Sequence, residues 1–367
     1  MSEWKEYKLG DLTIDGKGSY GIAAPAVDYD FQKYTYLRIT DINDDGTLNK
    51  NGLKSVDNVN APNYLLQPND IVFARTGASV GRSYFYDERD GELVYAGFLI
   101  KYSLDPSKVN PKLIKFYTHS QTYYDWIQTV DNGATRGNIN AQTYASMPIL
   151  LPEREVQDKI VSILGSLDDK IDLLNRENAT LEAMAETLFR QWFIEEAKED
   201  WEEGKLGDLM EVKYGKDHKK LNDGTIPVFG SGGIMRYAES ALYYKESVLI
   251  PRKGSLNNVM YIDEPFWTVD TMFYTEMHRP NIAKFIFHFM KGQDLENMNV
   301  GSAVPSMTTE VLNNIPLDIP PQELFDKFEE TVSVLYLKQK QNRFQIYNLS
   351  KQQDVLLPKL MSNEINI

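Results

Sequence analysis

Residues 152–197 read PEREVQDKIVSILGSLDDKIDLLNRENATLEAMAETLFRQWFIEEA. Apolar residues recur every seven positions in two columns, which correspond to the a and d positions of a coiled coil. The a column holds Ile160, Leu167, Leu174, Leu181 and Leu188, and the d column holds Leu164, Ile171, Asn178, Ala185 and Trp192. The pattern predicts one long amphipathic helix of roughly 65 Å, at ~1.5 Å per residue. Such a helix needs a partner to cover its apolar seam.

The partner helix is found 168 residues further along the chain. At that offset the a column becomes Phe328, Leu335, Asn342, Leu349 and Leu356, and the d column becomes Val332, Gln339, Ile346, Gln353 and Leu360. One apolar-striped helix is most often explained by core packing, but two copies in phase argue against that explanation. Residues 4–12 (WKEYKLGDL) and 201–209 (WEEGKLGDL) also agree at seven of nine positions. The sequence therefore predicts an internal duplication of one unit, a globular domain followed by a long helix.

The predicted boundaries follow from this duplication. We expect a first globular domain at 1–152, a first long helix at 153–198, a second globular domain at 199–320, and a second long helix with a tail at 321–367. Both globular domains should be mixed α/β. The expected strands are Asp70–Arg75, Val94–Tyr102, Ser247–Arg252 and Thr268–Thr275, and the expected helices are Ile114–Thr129 and Ile282–Gly292. Pro152 and Pro320 should start the long helices, and Pro358 should stop or kink the second.

The two polar seam residues predict how the helices pair. The simplest closed arrangement is antiparallel, with a pseudo-twofold axis and the two globular domains at opposite ends of the rod. If Asn178 faces Asn342, facing residues have numbers that add up to 520, so Trp192 meets Phe328. A slip of one heptad would bury Asn178 against Leu335 and leave its amide unpaired. We therefore predict the 520 register.

Composition limits the classes of function. The formal net charge is −14, half of which lies on residues 153–200, and this balance argues superficially against a nucleic-acid partner. The acidic helix is either a solvated face or a docking face for a more basic protein. The chain has no cysteine and no run of 18 apolar residues, which predicts a cytoplasmic protein without disulfides, thiolate metal sites or membrane spans.

Catalytic motifs are missing from the sequence. The phosphate-binding loop, the dinucleotide-binding glycine fingerprint and the Asn/Asp-Pro-Pro-Tyr/Phe sequence of amino-methyltransferases do not occur. Glu6–Lys8 and Glu211–Lys213 have the Glu-x-Lys half of some nuclease sites, but no spaced Pro-Asp precedes them. The four histidines are scattered and show no metal-ligand spacing. We predict no catalytic site and no metal or cofactor site in this chain.

Glycine-rich loops carrying arginine, lysine, asparagine and hydroxyl side chains remain as candidates. Glycine lets backbone N–H groups approach a phosphate, while arginine and asparagine can bind base edges bidentately. The candidate DNA contacts are Arg75, Thr76, Gly77, Ser79, Arg82, Thr135, Arg136, Asn138, Lys216, Lys219, Arg252, Lys253, Ser255, Asn257 and Asn258. Any single loop could equally be an ordinary surface turn. Arg75 and Arg252 hold equivalent places in the two copies, however, as do Gly77 and Gly254, and this strengthens the pair.

The residues also carry a family resemblance over the whole chain. The chain resembles the specificity subunits of type I restriction-modification enzymes. The segments that carry the resemblance are Lys205–Leu209, Ile226–Gly232, Arg252–Ser255 and Phe266–Thr271 in the second globular domain, and Leu188–Phe193 and Leu356–Met361 at the helix ends. The chain departs from the family at Pro251, where glycine is common, and at Asn257-Asn258, where a small residue and glycine are usual.

The resemblance implies a non-catalytic protein that binds double-stranded DNA. Each globular domain would be a target-recognition domain for one half of an asymmetric, interrupted DNA site. The helices would set the spacing and dock two methyltransferase subunits, which use S-adenosylmethionine, and two nuclease-motor subunits, which use ATP and Mg²⁺, would join. The alternative is a coiled-coil scaffold that connects protein partners without touching DNA. An independent enzyme is the least favoured reading.

Overall fold

The structure is a computed structural model, and it describes residues 4–131, 138–298, 306–362 and 364. It divides into two compact units. The first combines Met1–Leu173 with Gln345–Ile367, and the second is Leu174–Phe344. Within the described ranges, no helix is both long enough and apolar enough to cross a lipid bilayer.

The first unit contains the N-terminal globular region and parts of both long helices. Its strands are β1 (Lys5–Lys8), β2 (Ser19–Tyr20), β3 (Ala26–Asp28), β4 (Thr35–Leu37), β5 (Lys54–Val56), β6 (Asp70–Ala74), β7 (Ser83–Phe85), β8 (Leu93–Tyr95), β9 (Leu99–Ser103) and β10 (Pro148–Leu151). Its helices are α1 (Pro111–Tyr117), α2 (Gln121–Asp131), α3 (Ala141–Ala145) and the start of α4 (Arg154–Arg190). Short 3-10 turns lie at Leu9–Leu12, Ile39–Asp41, Ala61–Tyr64, Gly77–Ser79 and Glu88–Asp90.

The second unit begins within α4, which continues as a π-helical turn at Gln191–Glu195. Its strands are β11 (Glu202–Lys205), β12 (Met210–Tyr214), β13 (Asp223–Gly230), β14 (Gly233–Ala238), β15 (Ser247–Pro251), β16 (Met260–Ile262), β17 (Trp267–Thr268), β18 (Met272–Met277) and β19 (Pro316–Ile319). Its helices are α5 (Leu206–Leu209), α6 (Ala283–Lys291), α7 (Thr309–Asn313) and the start of α8 (Gln322–Met361).

Two sheets form the first globular region. The inner sheet has the order β2-β9-β6-β7 and is antiparallel, whereas the outer sheet has the order β3-β5-β4-β8 with β4 and β8 parallel. Strand β6 is buried on both faces. Ile71 and Phe73 pack against the helices, and Val72 and Ala74 pack against the outer sheet. Because successive side chains of a strand point to opposite faces, the inner sheet lies between the helices and the outer sheet.

The second unit repeats this layering. Its inner sheet has the order β12-β18-β15-β16, and its outer sheet has the order β14-β13-β17 with β13 and β17 parallel. Val248 and Ile250 of β15 pack on the helix side, and Leu249 packs on the outer-sheet side. The pair β11–β19 places Lys205 opposite Pro316, just as β1–β10 places Lys8 opposite Pro148. The predicted duplication is confirmed. No counterpart of β3 occurs in the described part of the second outer sheet, consistent with the shorter second copy.

The predicted seam is present in both units. In the second unit, Asn342 Nδ2 donates to Asn178 Oδ1 at 3.0 Å, and the ring centres of Trp192 and Phe328 lie 6.0 Å apart. In the first unit, Ile160 of α4 and Leu360 of α8 share one buried cluster. The numbers of each pair add up to 520, so the helices are antiparallel and the predicted register is confirmed.

The predicted helix boundaries need three corrections. Residues 114–129 form two helices and not one, because the Ser120 hydroxyl bonds the Tyr117 carbonyl at the break between α1 and α2. The first long helix begins at Arg154, two residues after Pro152, because the Glu153 carbonyl accepts the first helical bonds. Pro358 does not stop α8, which continues to Met361, and the alternative of a kink at Pro358 stays a prediction.

Two predicted strands are each broken in the middle. Residues 94–102 divide into β8 and β9 around a turn at Ala96–Phe98, where Leu99 N donates to Ala96 O at 2.8 Å. Residues 268–275 divide into β17 and β18 around an equivalent turn, where Met272 N donates to Val269 O at 3.0 Å. The extended pattern predicted a continuous strand, but these turns carry the chain from the outer sheet to the inner sheet.

Candidate nucleic-acid interface

Arg75 directly follows the buried strand β6 and stacks on an aromatic ring. Its guanidinium carbon lies 4.9 Å from the centre of the Tyr20 ring, and Nη2 donates to Asn138 Oδ1 at 3.1 Å. The backbone of Arg75 is fixed on both sides, since its N–H donates to Phe98 O at 3.1 Å and its carbonyl accepts from Ile139 N at 2.9 Å. Tyr20 is 42% exposed. A guanidinium held on a ring at a surface can reach a base edge or a phosphate.

Arg252 follows β15 in the same way. Its guanidinium carbon lies 5.3 Å from the centre of the Tyr214 ring, and Nη1 donates to the backbone carbonyl of Asp270 at 3.1 Å. Its N–H donates to Thr271 O at 2.8 Å, and its carbonyl accepts from Met307 N at 2.9 Å. Tyr214 is 52% exposed. The predicted equivalence of Arg75 and Arg252 thus extends to the backbone bonds and to the aromatic partner.

Glycines occupy matching places beside both arginines. Gly77 and Gly254 have φ values of +75° and +85°, a conformation that other residues adopt only with strain. Gly21 and Gly215 directly follow the two tyrosines. A Cβ at Gly21 would lie 2.3 Å from a backbone carbonyl oxygen, and one at Gly215 would lie 2.0 Å from another. Each tyrosine is therefore held where the backbone of its strand passes close to the turn between the sheets.

The remaining predicted residues divide into three groups: those with contacts inside their own unit, those in the loops near the arginines, and those outside the described residues. The Arg82 guanidinium bonds the Ile42 carbonyl and pairs with Asp44 at 2.6 Å, so its charge is engaged within the first unit. In the second unit, the backbone of Lys253 forms an isolated β-bridge with that of Ser306, and Asn258 Nδ2 donates to Ser231 O at 2.8 Å. Thr76, Gly77 and Ser79 lie in the loop after Arg75, Ser255 and Asn257 lie in the loop after Arg252, and Lys216 and Lys219 follow Tyr214. Thr135 and Arg136 lie outside the described residues.

A cleft of about 570 Å³ lies beside Arg252 in the second unit. Its lining is Asp217, His218, Lys219, Gly230, Ser231, Gly232, Met235, Val269, Asp270 and Thr271. Of these, only Lys219 was predicted as a DNA contact. His218 Nδ1 is shielded from solvent and has no hydrogen-bond partner within the described residues. The cleft offers carboxylates, an imidazole, hydroxyls and an ammonium group to a polar ligand.

The aromatic partners were missing from the predicted site. Tyr20 and Tyr214 each end a strand, where tyrosine is common for packing reasons alone. The signal that could have found them is the Tyr-Gly dipeptide, which occurs at Tyr20-Gly21 and Tyr214-Gly215 after the repeated KLGDL segment.

Comparison with known proteins identifies the family of this chain. A family model described as "Type I restriction modification DNA specificity domain" matches residues 1–183 and 198–327. The chain belongs to this family. As a specificity subunit it is a DNA-recognition component and not an enzyme.

Three relatives illustrate the similarity. The MjaIX specificity subunit of Methanocaldococcus jannaschii is 25% identical over 294 residues, which cover 68% of this chain and 67% of the relative. The HindI specificity subunit of Haemophilus influenzae is 28% identical over 206 residues, which cover 53% and 42%. The crystal structure of a type I restriction-modification S subunit from M. genitalium has a TM-score of 0.58 at 18% identity and covers 98% and 96%. This last similarity shows the shared fold.

Proposed function

We propose that each globular region of this specificity subunit binds one half of an asymmetric, bipartite DNA site. The observation that carries the proposal is the duplicated Arg–Tyr site, with Arg75 over Tyr20 and Arg252 over Tyr214. A protein that binds two different half-sites needs equivalent arginines whose neighbouring residues differ. Because the two copies differ around these arginines, the combined site would not be a palindrome.

The long helices would set the distance between the half-sites and dock two methyltransferase subunits. Support comes from the face of α8 that points away from the seam. In the second unit this face carries Val334, Leu337 and Phe344, which are 63%, 58% and 68% exposed. Apolar side chains exposed along one helix face are typical of a protein-binding surface. The acidic residues of 153–200 would complement a basic partner.

Catalysis would then belong to the partner subunits. We propose that S-adenosylmethionine, ATP and Mg²⁺ bind to those subunits and not to this chain. Two nuclease-motor subunits would join the complex for restriction, and the complex would act on chromosomal and foreign DNA in the cytoplasm. Partner subunits would also supply the positive charge that a chain with net charge −14 does not have.

A scaffold that never touches DNA is the competing function, and the negative net charge favours it. The discriminating experiment uses two charge-reversal variants, Arg75→Glu and Arg252→Glu. It measures co-purification of each variant with the methyltransferase subunit and binding of the assembled complex to DNA. The proposal expects normal assembly, with binding of each variant reduced by ten-fold or more, about what the loss of one bidentate base contact costs. Glu264→Gln, at an exposed position of the second unit, is the matched control. Unchanged DNA binding by both reversal variants would support the scaffold.

The isolated chain provides a second test. Phosphate contacts from lysine and arginine make binding fall steeply with salt. We expect the chain alone to bind DNA weakly and with strong salt dependence, and the assembled complex to bind tightly. Tight, specific binding by the purified chain alone would contradict the role given to the partner subunits.

A further inference from the structure

Two equivalent turns lie beside the two arginines. In the first unit the turn Ala96–Phe98 joins β8 to β9, and the Phe98 carbonyl accepts from Arg75 N at 3.1 Å. In the second unit the turn Val269–Thr271 joins β17 to β18, and the Thr271 carbonyl accepts from Arg252 N at 2.8 Å. The backbones therefore hold the side chains of both turns next to the arginine that would contact DNA.

The side chains of the two turns are chemically different. The first turn carries Gly97 and Phe98, and the Phe98 ring is 59% exposed. The second turn carries Asp270 and Thr271 at the same positions, and both line the cleft beside Arg252. Arg252 bonds the carbonyl of Asp270 and not its carboxylate, so the carboxylate remains available to a ligand in the cleft.

We propose that these turns determine which base each unit selects, an inference that rests on the proposed DNA-binding function. In the major groove, a carboxylate accepts a hydrogen bond from the N4 amino group of cytosine, and an apolar ring contacts the C5 methyl group of thymine. Asp270 therefore selects cytosine in the half-site bound by the second unit. Phe98 selects thymine in the half-site bound by the first unit.

Further polar residues line the cleft beside the second turn. Asp270 and Thr271 line the cleft together with Asp217, His218 and Lys219. Asp217 Oδ1 accepts from Lys219 N at 3.1 Å, which fixes that loop. His218 lines the cleft too, although its Nδ1, which has no hydrogen-bond partner within the described residues, is shielded from solvent. The first unit offers no carboxylate at the matching position, since Gly97 replaces Asp270.

The structure allows the turns to be exchanged. A Cβ at Gly97 would meet its nearest atom, the Ile22 carbonyl oxygen, at 3.4 Å, which is ordinary contact. Gly97 is also absent from the positions with left-handed backbone. A Cβ thus fits at position 97 without a backbone shift, so Gly97→Asp/Phe98→Thr is the exchange variant to make.

The experiment expresses each variant with its methyltransferase partner and maps methylated adenines across a genome. Asp270→Asn keeps the side-chain volume and removes the charge. We expect it to lower the preference for cytosine at one position by roughly ten-fold, in the half-site of the second unit only. Phe98→Ala should relax a thymine position in the other half-site, and Gly97→Asp/Phe98→Thr should shift that position towards cytosine. Glu264→Gln should leave the motif unchanged.

The result that overturns the inference is a methylation motif with the same base preferences in Asp270→Asn, Phe98→Ala and the exchange variant. A change spread over both half-sites in any one variant would also overturn it. These failures are distinct from failure of the proposed function. If the wild-type chain directs no motif at all, the proposed function fails. If the motif depends on Arg75 and Arg252 but not on the turns, only this inference fails. Far-UV circular dichroism confirms that each variant is folded.

Discussion

The polar layer of the seam permits a quantitative test. Asn342 is 1% exposed and donates to Asn178 Oδ1 at 3.0 Å and to Glu177 Oε2 at 2.9 Å. The perturbation is a double-mutant cycle made of Asn178→Ala, Asn342→Ala and the combined variant. Each single substitution leaves a partner amide without its hydrogen bond, whereas the combined variant removes the pair.

The two single substitutions should lower the unfolding free energy by different amounts. Asn342→Ala loses two hydrogen bonds, one of them to a carboxylate, and should lower the unfolding free energy by about 2–3 kcal/mol. Asn178→Ala leaves the bond from Asn342 to Glu177 in place, and Asn178 is only partly buried, so its cost should be about 1 kcal/mol. The combined variant should lose about 1 kcal/mol less than the two single costs together.

The assay is urea unfolding of the full chain, followed by far-UV circular dichroism and tryptophan fluorescence in parallel. The chain contains no cysteine, so introduced cysteines report the register directly. Asn178→Cys/Asn342→Cys should form a disulfide under mild oxidation, and Asn178→Cys/Leu335→Cys, one heptad away, should not. Costs that add without coupling, or a disulfide with position 335 in place of 342, would refute the 520 register.

Three further predictions concern the rings, a buried histidine and a buried ion pair. Tyr20→Ala and Tyr214→Ala should each weaken binding of the complex to one half-site, and Tyr→Phe at the same positions should retain it; equal losses at both half-sites in a competition assay would contradict this. Burial lowers the pKa of His288 to about 4, so stability present above the usual histidine pKa of 6.5 should be lost as pH falls towards 4, by up to roughly 3 kcal/mol. His288→Phe/Tyr336→Phe, which also removes the 2.9 Å bond between these residues, should flatten that slope in unfolding experiments without removing it, because burial also lowers the pKa of His119. Lys284→Met leaves the Glu329 carboxylate without its 2.5 Å ion pair and should lower the unfolding free energy by about 3–5 kcal/mol. Lys291→Met breaks a more exposed pair with Glu182 and should lower it by less than about 1 kcal/mol. Similar melting temperatures for the two variants would be inconsistent with a buried charge at Glu329.

The long-range organisation could be predicted because it rests on periodicity. The heptad columns specified two helices, and the amides at Asn178 and Asn342 specified their register, since only one alignment pairs them. Arg75 and Arg252 could be matched because each follows an apolar strand and precedes a glycine. These signals are local in sequence and repeat at a fixed offset.

The missed features depend on tertiary contacts. The extended patterns at 94–102 and 268–275 predicted unbroken strands, whereas each break occurs where the chain passes from the outer sheet to the inner sheet. Tyr20 and Tyr214 lie far from the arginines in sequence and become their partners only when the inner sheets form. Pro358 lies three residues before Met361, the last residue of α8, where the helix tolerates the missing hydrogen bond.

We infer that Arg75 and Arg252, which hold equivalent places, contact two different half-sites. The most direct test maps methylated adenines genome-wide in cells that express the partner methyltransferase with wild-type chain, Arg75→Ala or Arg252→Ala. We expect one asymmetric, bipartite motif for the wild type, with recognition degraded in one half by Arg75→Ala and in the other half by Arg252→Ala. Methylation of the same motif at the same level in all three strains would show that neither arginine is needed to recognise a half-site.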